Sequence, residues 1–227
     1  MSKKAAKKSK KQDQFENVEQ VLSASEAFIE KYQKEILYGL GAIAVLIMAF
    51  LAINNYVIKP RAAVAANEMY KAQQYFARDS FQLALQGDDF EAIGFEAISS
   101  KYSLTTSGNL AKAYAGICYY NLGEYEEAIR FLSSYDGNDN YFAPSVTGLI
   151  GDCYVELDES SKAVRYFSKA AASGNEIVAP IFLKKAGIAL ESMGDTKKAL
   201  KNYLEIKERY PLSQEAQDID KYITRLQ

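Results

Sequence analysis

The stretch "GICYYNLGEYEEAIRFL", residues 116–132, is written three times in related form along this chain. The second copy is "GDCYVELDESSKAVRYF", residues 151–167, and the third is "GIALESMGDTKKALKNY", residues 187–203. In every copy an Ala stands twelve residues after the opening Gly, and a large apolar or aromatic residue stands sixteen after it. Similarity at a fixed period indicates an array in which each unit buries its apolar face against the next.

The spacing within one copy predicts a helical hairpin. Gly116 and Tyr119 share one face of a first helix, and Gly123 supplies the left-handed residue that ends it. Ala128 and Leu132 lie on the buried stripe of a second helix, and small residues at the crossing allow close approach. In the middle copy Asp158 replaces the turn glycine. The residues that define the repeats are Gly116, Tyr119, Gly123, Ala128, Gly151, Tyr154, Ala163, Phe167, Gly187, Gly194, Ala199, Tyr203 and Pro211.

The period and the order Gly…Tyr…Gly…Ala…aromatic…Pro resemble tetratricopeptide repeats over residues 109–211. The Trp of that family is missing from every copy, and the closing Pro is present only as Pro211. A weaker unit, "SFQLALQGDDFEAIGFE", precedes them and aligns Gly87 with Gly123. The resemblance implies an all-α superhelix of about three and a half hairpins with a C-terminal capping helix, which arrays need to cover their last face.

These observations predict the organisation of the whole chain. We expect a repeat domain over 62–227, preceded by a membrane-spanning helix, an amphipathic helix and a Lys-rich tail. The predicted segments are the tail 1–12, the amphipathic helix 13–36, the transmembrane helix 37–58, a degenerate first repeat 62–104, repeats 109–142, 144–177 and 180–212, and a capping helix 213–227.

The membrane prediction rests on residues 37–58, which carry no charge. About 20 apolar residues span a bilayer core. A buried core helix is one alternative, which the run disfavours because it is apolar on every face. A cleavable signal peptide is the second, because "AVA" at 63–65 imitates a cleavage site. The retained anchor is favoured because 36 residues precede the apolar run. Eight Lys precede that run, so the positive-inside rule predicts a cytoplasmic N-terminus and an external repeat domain.

Composition argues against several classes of function. The chain has no His and a net charge of −2, which disfavours metal binding, acid–base catalysis and nucleic-acid binding. No phosphate-binding loop or paired nucleophile appears, so we predict no enzyme and no cofactor. Cys118 and Cys153 occupy equivalent places in neighbouring repeats, where buried thiols are favoured over a disulfide. The alternating Asp136, Asn138 and Asn140 of an inter-repeat loop lack the later Glu of a calcium site.

The first helices of the hairpins are expected to line the concave face of the superhelix. The candidate partner-binding residues, which we call the first-helix groove, are Leu110, Ala113, Ile117, Tyr120, Asp152, Val155, Lys184 and Ile188. A groove of this kind suits an apolar helix or an extended segment of a protein partner.

The complete arrangement of tail, span and repeats resembles the YfgM-like family of bacterial inner-membrane proteins. That resemblance implies a single-pass protein with a periplasmic repeat domain, ancillary to the Sec translocon and to periplasmic chaperones that handle exported proteins. Two other functions stay open: a structural scaffold for assembly of cell-envelope complexes, and a repeat adaptor on an organelle membrane of a eukaryote, which would require the opposite orientation.

Overall fold

A computed structural model describes residues 31–88 and 90–227 of the chain. The described residues are helical, with turns and loops between the helices and no strand, which confirms the all-α prediction. They divide into two compact units, one ending at Val57 and the other covering Ile58–Gln227. The predicted tail 1–12 and residues 13–30 of the predicted amphipathic helix lie outside the described part.

The first unit is represented by one apolar helix, α1, over residues 31–53, followed by a π-helical turn at Asn54–Ile58. The helical run Lys31–Phe76 contains a stretch that is long and apolar enough to cross a membrane, and none of that stretch is buried inside the structure. By length and composition alone, a signal sequence passes the same test.

Three helical hairpins form the centre of the second unit. They are α5 (Thr106–Asn121) with α6 (Tyr125–Ser134), α7 (Phe142–Glu156) with α8 (Ser160–Ala171), and α9 (Val178–Ser192) with α10 (Thr196–Arg209). The turns inside the hairpins each contain a residue with positive φ, namely Gly123 at 81°, Asp158 at 58° and Gly194 at 79°. Asp158 therefore occupies the left-handed position that glycine fills in the other two hairpins.

The part before these hairpins differs from the predicted first repeat, which was a hairpin over 62–104. Three helices are found there instead: α2 (Lys59–Phe76), α3 (Phe81–Gln86) and α4 (Gly94–Lys101). Asp79 (φ 55°) and Gly87 (φ 85°) are left-handed residues that end α2 and α3, because helical geometry cannot pass through such a backbone. Glu96 of α4 accepts a hydrogen bond from the Tyr119 hydroxyl at 2.6 Å and so ties this region to α5.

The C-terminal cap also differs from the single helix predicted over 213–227. A 3₁₀ turn at Glu215–Gln217 precedes a short helix, α11, at Ile219–Arg225. Ile219 and Ile223 of α11 are buried in the same core as α9 and α10. The Ser213 Oγ accepts a hydrogen bond from the backbone N–H of Ala216 at 3.2 Å, so it caps the 3₁₀ turn rather than α11.

The two helices of each hairpin approach closely at the repeat-defining glycines. A Cβ atom added to Gly116 would lie 2.5 Å from Leu132, one added to Gly151 would lie 2.6 Å from Phe167, and one added to Gly187 would lie 2.3 Å from Tyr203. The facing side chains are almost completely buried, as are the three alanines of the second helices, Ala128, Ala163 and Ala199. At each crossing the side chain sixteen residues after the glycine fills the space that a Cβ would need.

We expect Gly187→Ala to destabilise the protein, although Ala favours helix over Gly, because Tyr203 is fully buried and its hydroxyl is bound to Glu191. Overpacking should cost about 1–3 kcal/mol of the free energy of unfolding, measured by urea denaturation of the full chain in detergent.

The paired variant Gly187→Ala/Tyr203→Leu tests the mechanism, because a smaller facing side chain relieves the clash. Its loss should be less than the sum of the two single losses. Additive losses, or a Gly187→Ala protein as stable as the wild type, would contradict this account of the crossing.

Candidate partner-binding surface

The structure divides the first-helix groove into available and unavailable residues. Ala113 is fully buried, so it belongs to the core and is a correction to the predicted groove. Lys184 binds Asp218 at 2.6 Å, and its ammonium lies 4.9 Å from the centre of the Tyr222 ring. The cap next to α9 thus pairs with Lys184, a contact that the sequence did not predict. Leu110 is half-buried and packs on the core.

Besides Leu110, four apolar residues of the groove remain in contact with solvent. Val155 on α7 is 44% exposed and Ile188 on α9 is 46% exposed. On α5, Ile117 and Tyr120 are half-buried and pack against the core. Exposed apolar side chains on successive first helices are the features that a peptide-binding groove requires.

Tyr120 takes part in a contact that joins the first and second hairpins. Its ring meets the ring of Tyr125 edge to face, with centroids 5.8 Å apart. The Tyr125 hydroxyl lies 3.5 Å from a carboxylate oxygen of Glu156 on α7. The repeat pattern places Tyr125 on the apolar stripe of its second helix, but it does not specify the contact with Glu156, because the two residues stand on different hairpins.

A carboxylate and an ammonium meet between α7 and α9. Lys185 Nζ lies 2.7 Å from both carboxylate oxygens of Asp152. Burial raises the pKa of Asp152, and the hydrogen bond and charge of Lys185 partly oppose that rise. The sequence singled out Asp152 and Lys184, whereas the structure pairs Asp152 with the neighbouring Lys185.

A second cross-helix network closes the C-terminal end. Glu191 on α9 accepts hydrogen bonds from the Tyr203 hydroxyl at 2.5 Å and from Arg225 of α11 at 2.8 Å. Burial opposes ionisation of Glu191, but these two donors outweigh it and lower the pKa of the carboxyl. Glu191 therefore holds the cap against the last hairpin as a charged group.

The two cysteines are free thiols and both are fully buried. Burial raises the pKa of Cys118 and of Cys153 to about 12. Thiols of this kind behave as small apolar side chains.

Surface depressions also lie outside the residues of the first-helix groove. One, of about 410 Å³, is formed by the loops that follow α8 and α10 and is lined in part by Ile177, Tyr210 and Leu212. The other, of about 580 Å³, lies beside the loop 135–139. In that loop the Asp139 carboxylate accepts hydrogen bonds from backbone N–H groups at the start of α7. One of them comes from Tyr141, with 2.8 Å between its backbone nitrogen and Asp139 Oδ1. Within the described residues no group of three metal-ligating side chains is found.

Comparison with known proteins agrees with this architecture. The family model for the tetratricopeptide repeat matches residues 114–135 and 183–213. Two crystal structures of a Podosopora anserina putative kinesin light chain with nearly identical TPR-like repeats, one of them a variant, are similar to this chain. Each aligns with a TM-score of 0.54 and 11% identity over 73% of this chain, covering 85% and 86% of those chains. No curated protein sequence matches the chain.

The family match and the structural similarity confirm the predicted fold, an all-α superhelix of tetratricopeptide-like hairpins with one apolar helix before it. Tetratricopeptide repeats imply an interaction scaffold that binds other proteins, because stacked hairpins present extended surfaces.

We expect neither thiol to react with Ellman's reagent in the folded protein, because a pKa of about 12 leaves only about 10⁻⁴ of each thiol ionised at pH 8. Both should react when the chain is unfolded in guanidinium. The exposed variant Ser168→Cys is the control and should react at once. Failure of Cys118 and Cys153 to react after unfolding without reductant would reveal a disulfide and contradict the structure.

The Asp152–Lys185 pair predicts a pH-dependent stability. A carboxyl whose pKa is higher in the folded than in the unfolded protein costs stability as the pH rises through the folded pKa. Lys185→Met removes the positive charge that opposes the rise in the pKa of Asp152. At pH 7 the free energy of unfolding should therefore fall by about 1–2 kcal/mol. At pH 5 part of that loss should be recovered, because protonation of Asp152 removes its unpaired charge.

Urea denaturation of wild type and variant at both pH values measures this difference. Asp152→Asn/Lys185→Met is the matched control, because it has no carboxyl to titrate, and its deficit should be the same at pH 5 and pH 7. A Lys185→Met deficit that does not shrink at pH 5 would contradict the assignment.

Proposed function

We propose that this chain is a membrane-anchored interaction protein of the YfgM-like kind, ancillary to the Sec translocon and to periplasmic chaperones. The apolar helix α1 supports an anchor, since it belongs to a stretch that is long and apolar enough to cross a membrane. The hairpins of the second unit support a scaffold role. The Lys-rich start of the sequence supports a cytoplasmic N-terminus and a periplasmic repeat domain.

The observation that carries the proposal is the exposure of Val155 and Ile188 on the successive first helices α7 and α9. Ile117 and Tyr120, which are half-buried against the core, add further apolar surface on α5. We propose that this part of the first-helix groove binds an apolar helix or extended segment of an exported protein or of a translocon subunit.

In-cell photo-cross-linking tests the groove directly. A benzophenone amino acid at Val155 or Ile188 should attach translocon subunits, periplasmic chaperones or newly exported chains, and the same probe at Gln82, an exposed residue of α3, should not. Val155→Asp/Ile188→Asp should reduce co-purification of the attached proteins at least about tenfold, because charge at these contacts opposes burial. Its free energy of unfolding should fall by no more than about 1–3 kcal/mol, because both side chains are already nearly half exposed and most of the cost is the poor helix propensity of Asp.

Other outcomes point elsewhere. Adducts with envelope-assembly proteins would replace the export function by a structural scaffold. A reporter fused after Gln227 that is active only in the cytoplasm would favour the organelle adaptor and overturn the periplasmic assignment. Equal cross-linking from Gln82 and Val155, or none from Val155 and Ile188, would remove the groove from the proposal.

A further inference from the structure

The second helix of the middle hairpin carries an unusual row of cations. Lys162, Arg165 and Lys169 follow one another at spacings of three and four, which places them on one face of α8. The chain has no acidic residue from 160 to 175, a segment that contains all of α8. The positive charge of α8 contrasts with the rest of the second unit, because residues 59–227 contain 19 Lys and Arg and 23 Asp and Glu.

These cations line a surface depression of about 340 Å³, together with Tyr154 and Tyr166. The two tyrosine rings stack with centroids 5.3 Å apart. The lining of the depression contains no carboxylate. We call these five residues the α8 basic cluster; cations and phenol groups are all donors to an anion.

Most of the charge in the α8 basic cluster is not neutralised by the protein. Lys162 is paired with Glu159, and its ammonium lies 5.1 Å from the centre of the Tyr154 ring. In the described part of the chain, Arg165 and Lys169 make no ion pair. Both side chains are exposed, so two cations remain available to a ligand.

The repeat framework does not require this charge. At the equivalent positions α6 has Glu127, Arg130 and Ser134, and Arg130 is bound to Glu127 through Nε at 2.7 Å. In α10 the equivalent residues are Lys198, Lys201 and Glu205, of which Lys198 is bound to Asp195 and Glu205 to Arg209. Of the three second helices, only α8 has Lys or Arg at all three positions.

We infer that the α8 basic cluster is a docking site for an acidic segment of a protein partner, separate from the first-helix groove. Carboxylates accept hydrogen bonds from Arg, Lys and tyrosine hydroxyls, and Arg can bind them with two parallel bonds. Alternate residues of an extended segment lie about 7 Å apart. Successive cations on α8 are separated by a shorter rise of about 4.5–6 Å, and the long, flexible Lys and Arg side chains can reach across the difference.

A flat anionic surface fits this site less well than a protein segment. On α6, the second helix of the preceding hairpin, Glu126 and Glu127 precede Arg130 and the helix has a net negative charge. A bilayer broad enough to cover both second helices would bring these carboxylates against anionic headgroups, which like charges oppose. A narrow acidic segment can follow α8 alone.

The test uses the full chain in uncharged detergent and a fluorescein-labelled oligoglutamate peptide, with binding followed by anisotropy. Lys162→Gln/Arg165→Gln/Lys169→Gln should weaken binding at least about tenfold, since each exposed charge contact contributes a few-fold. Binding to the wild type should also fall steeply with added salt. The matched control is Arg78→Gln/Lys101→Gln/Lys221→Gln, which removes the same charge from exposed positions elsewhere and should bind as the wild type does.

Each other outcome overturns the inference. Equal losses in both triple variants would mean that the peptide senses net charge only. No binding of oligoglutamate to the wild type would remove the site. Binding to vesicles rich in phosphatidylglycerol that is lost in the α8 variant, without binding of the peptide, would make the cluster a lipid contact. None of these results depends on Val155 or Ile188, so the groove is tested separately.

Discussion

The close approach of two helices at a glycine is the constraint on which the second unit depends. Gly116, Gly151 and Gly187 each leave room for the side chain sixteen residues later, which is Leu132, Phe167 or Tyr203. These large side chains are almost fully buried although each belongs to a hairpin of only two helices. Because a hairpin is too small to enclose them alone, its other face must be covered by a neighbour, and a stack results.

Stacking also determines where polar contacts form. Asp152 meets Lys185 across α7 and α9, Tyr119 meets Glu96 across α5 and α4, and Arg225 meets Glu191 across the cap and α9. Each contact joins neighbouring helical elements of the stack, so hydrogen bonds link the repeats as well as apolar packing; the Asp152–Lys185 and Tyr119–Glu96 bonds are partly buried, and the Arg225–Glu191 bond is exposed. Such bonds add specificity to the stack, because an unpaired carboxylate at these positions would be costly.

The residues proposed to bind partners take no part in the glycine crossings or in the polar contacts between repeats. Val155 and Ile188 do not form the crossings, and they leave apolar surface exposed on the first helices. Arg165 and Lys169 lie on α8, which is the second helix of its hairpin. The equivalent residues of α6 and α10 do not have the same charges. The two proposed surfaces therefore differ in chemistry as well as in position, one apolar and one cationic.

The helical hairpins, their turns and the glycine crossings could be predicted from the amino-acid sequence, because they follow from residue spacing within one repeat. Even Asp158 could be assigned to a left-handed turn from its alignment with Gly123 and Gly194. Other features could be seen only in the folded protein. Ala113 is part of the core, Lys184 pairs with Asp218 beside the cap, and Lys185 pairs with Asp152. The helices α3, α4 and α11 are also short. Those outcomes depend on which side chains meet across helices far apart in the chain, and a helical period places a residue on a face without specifying what packs there.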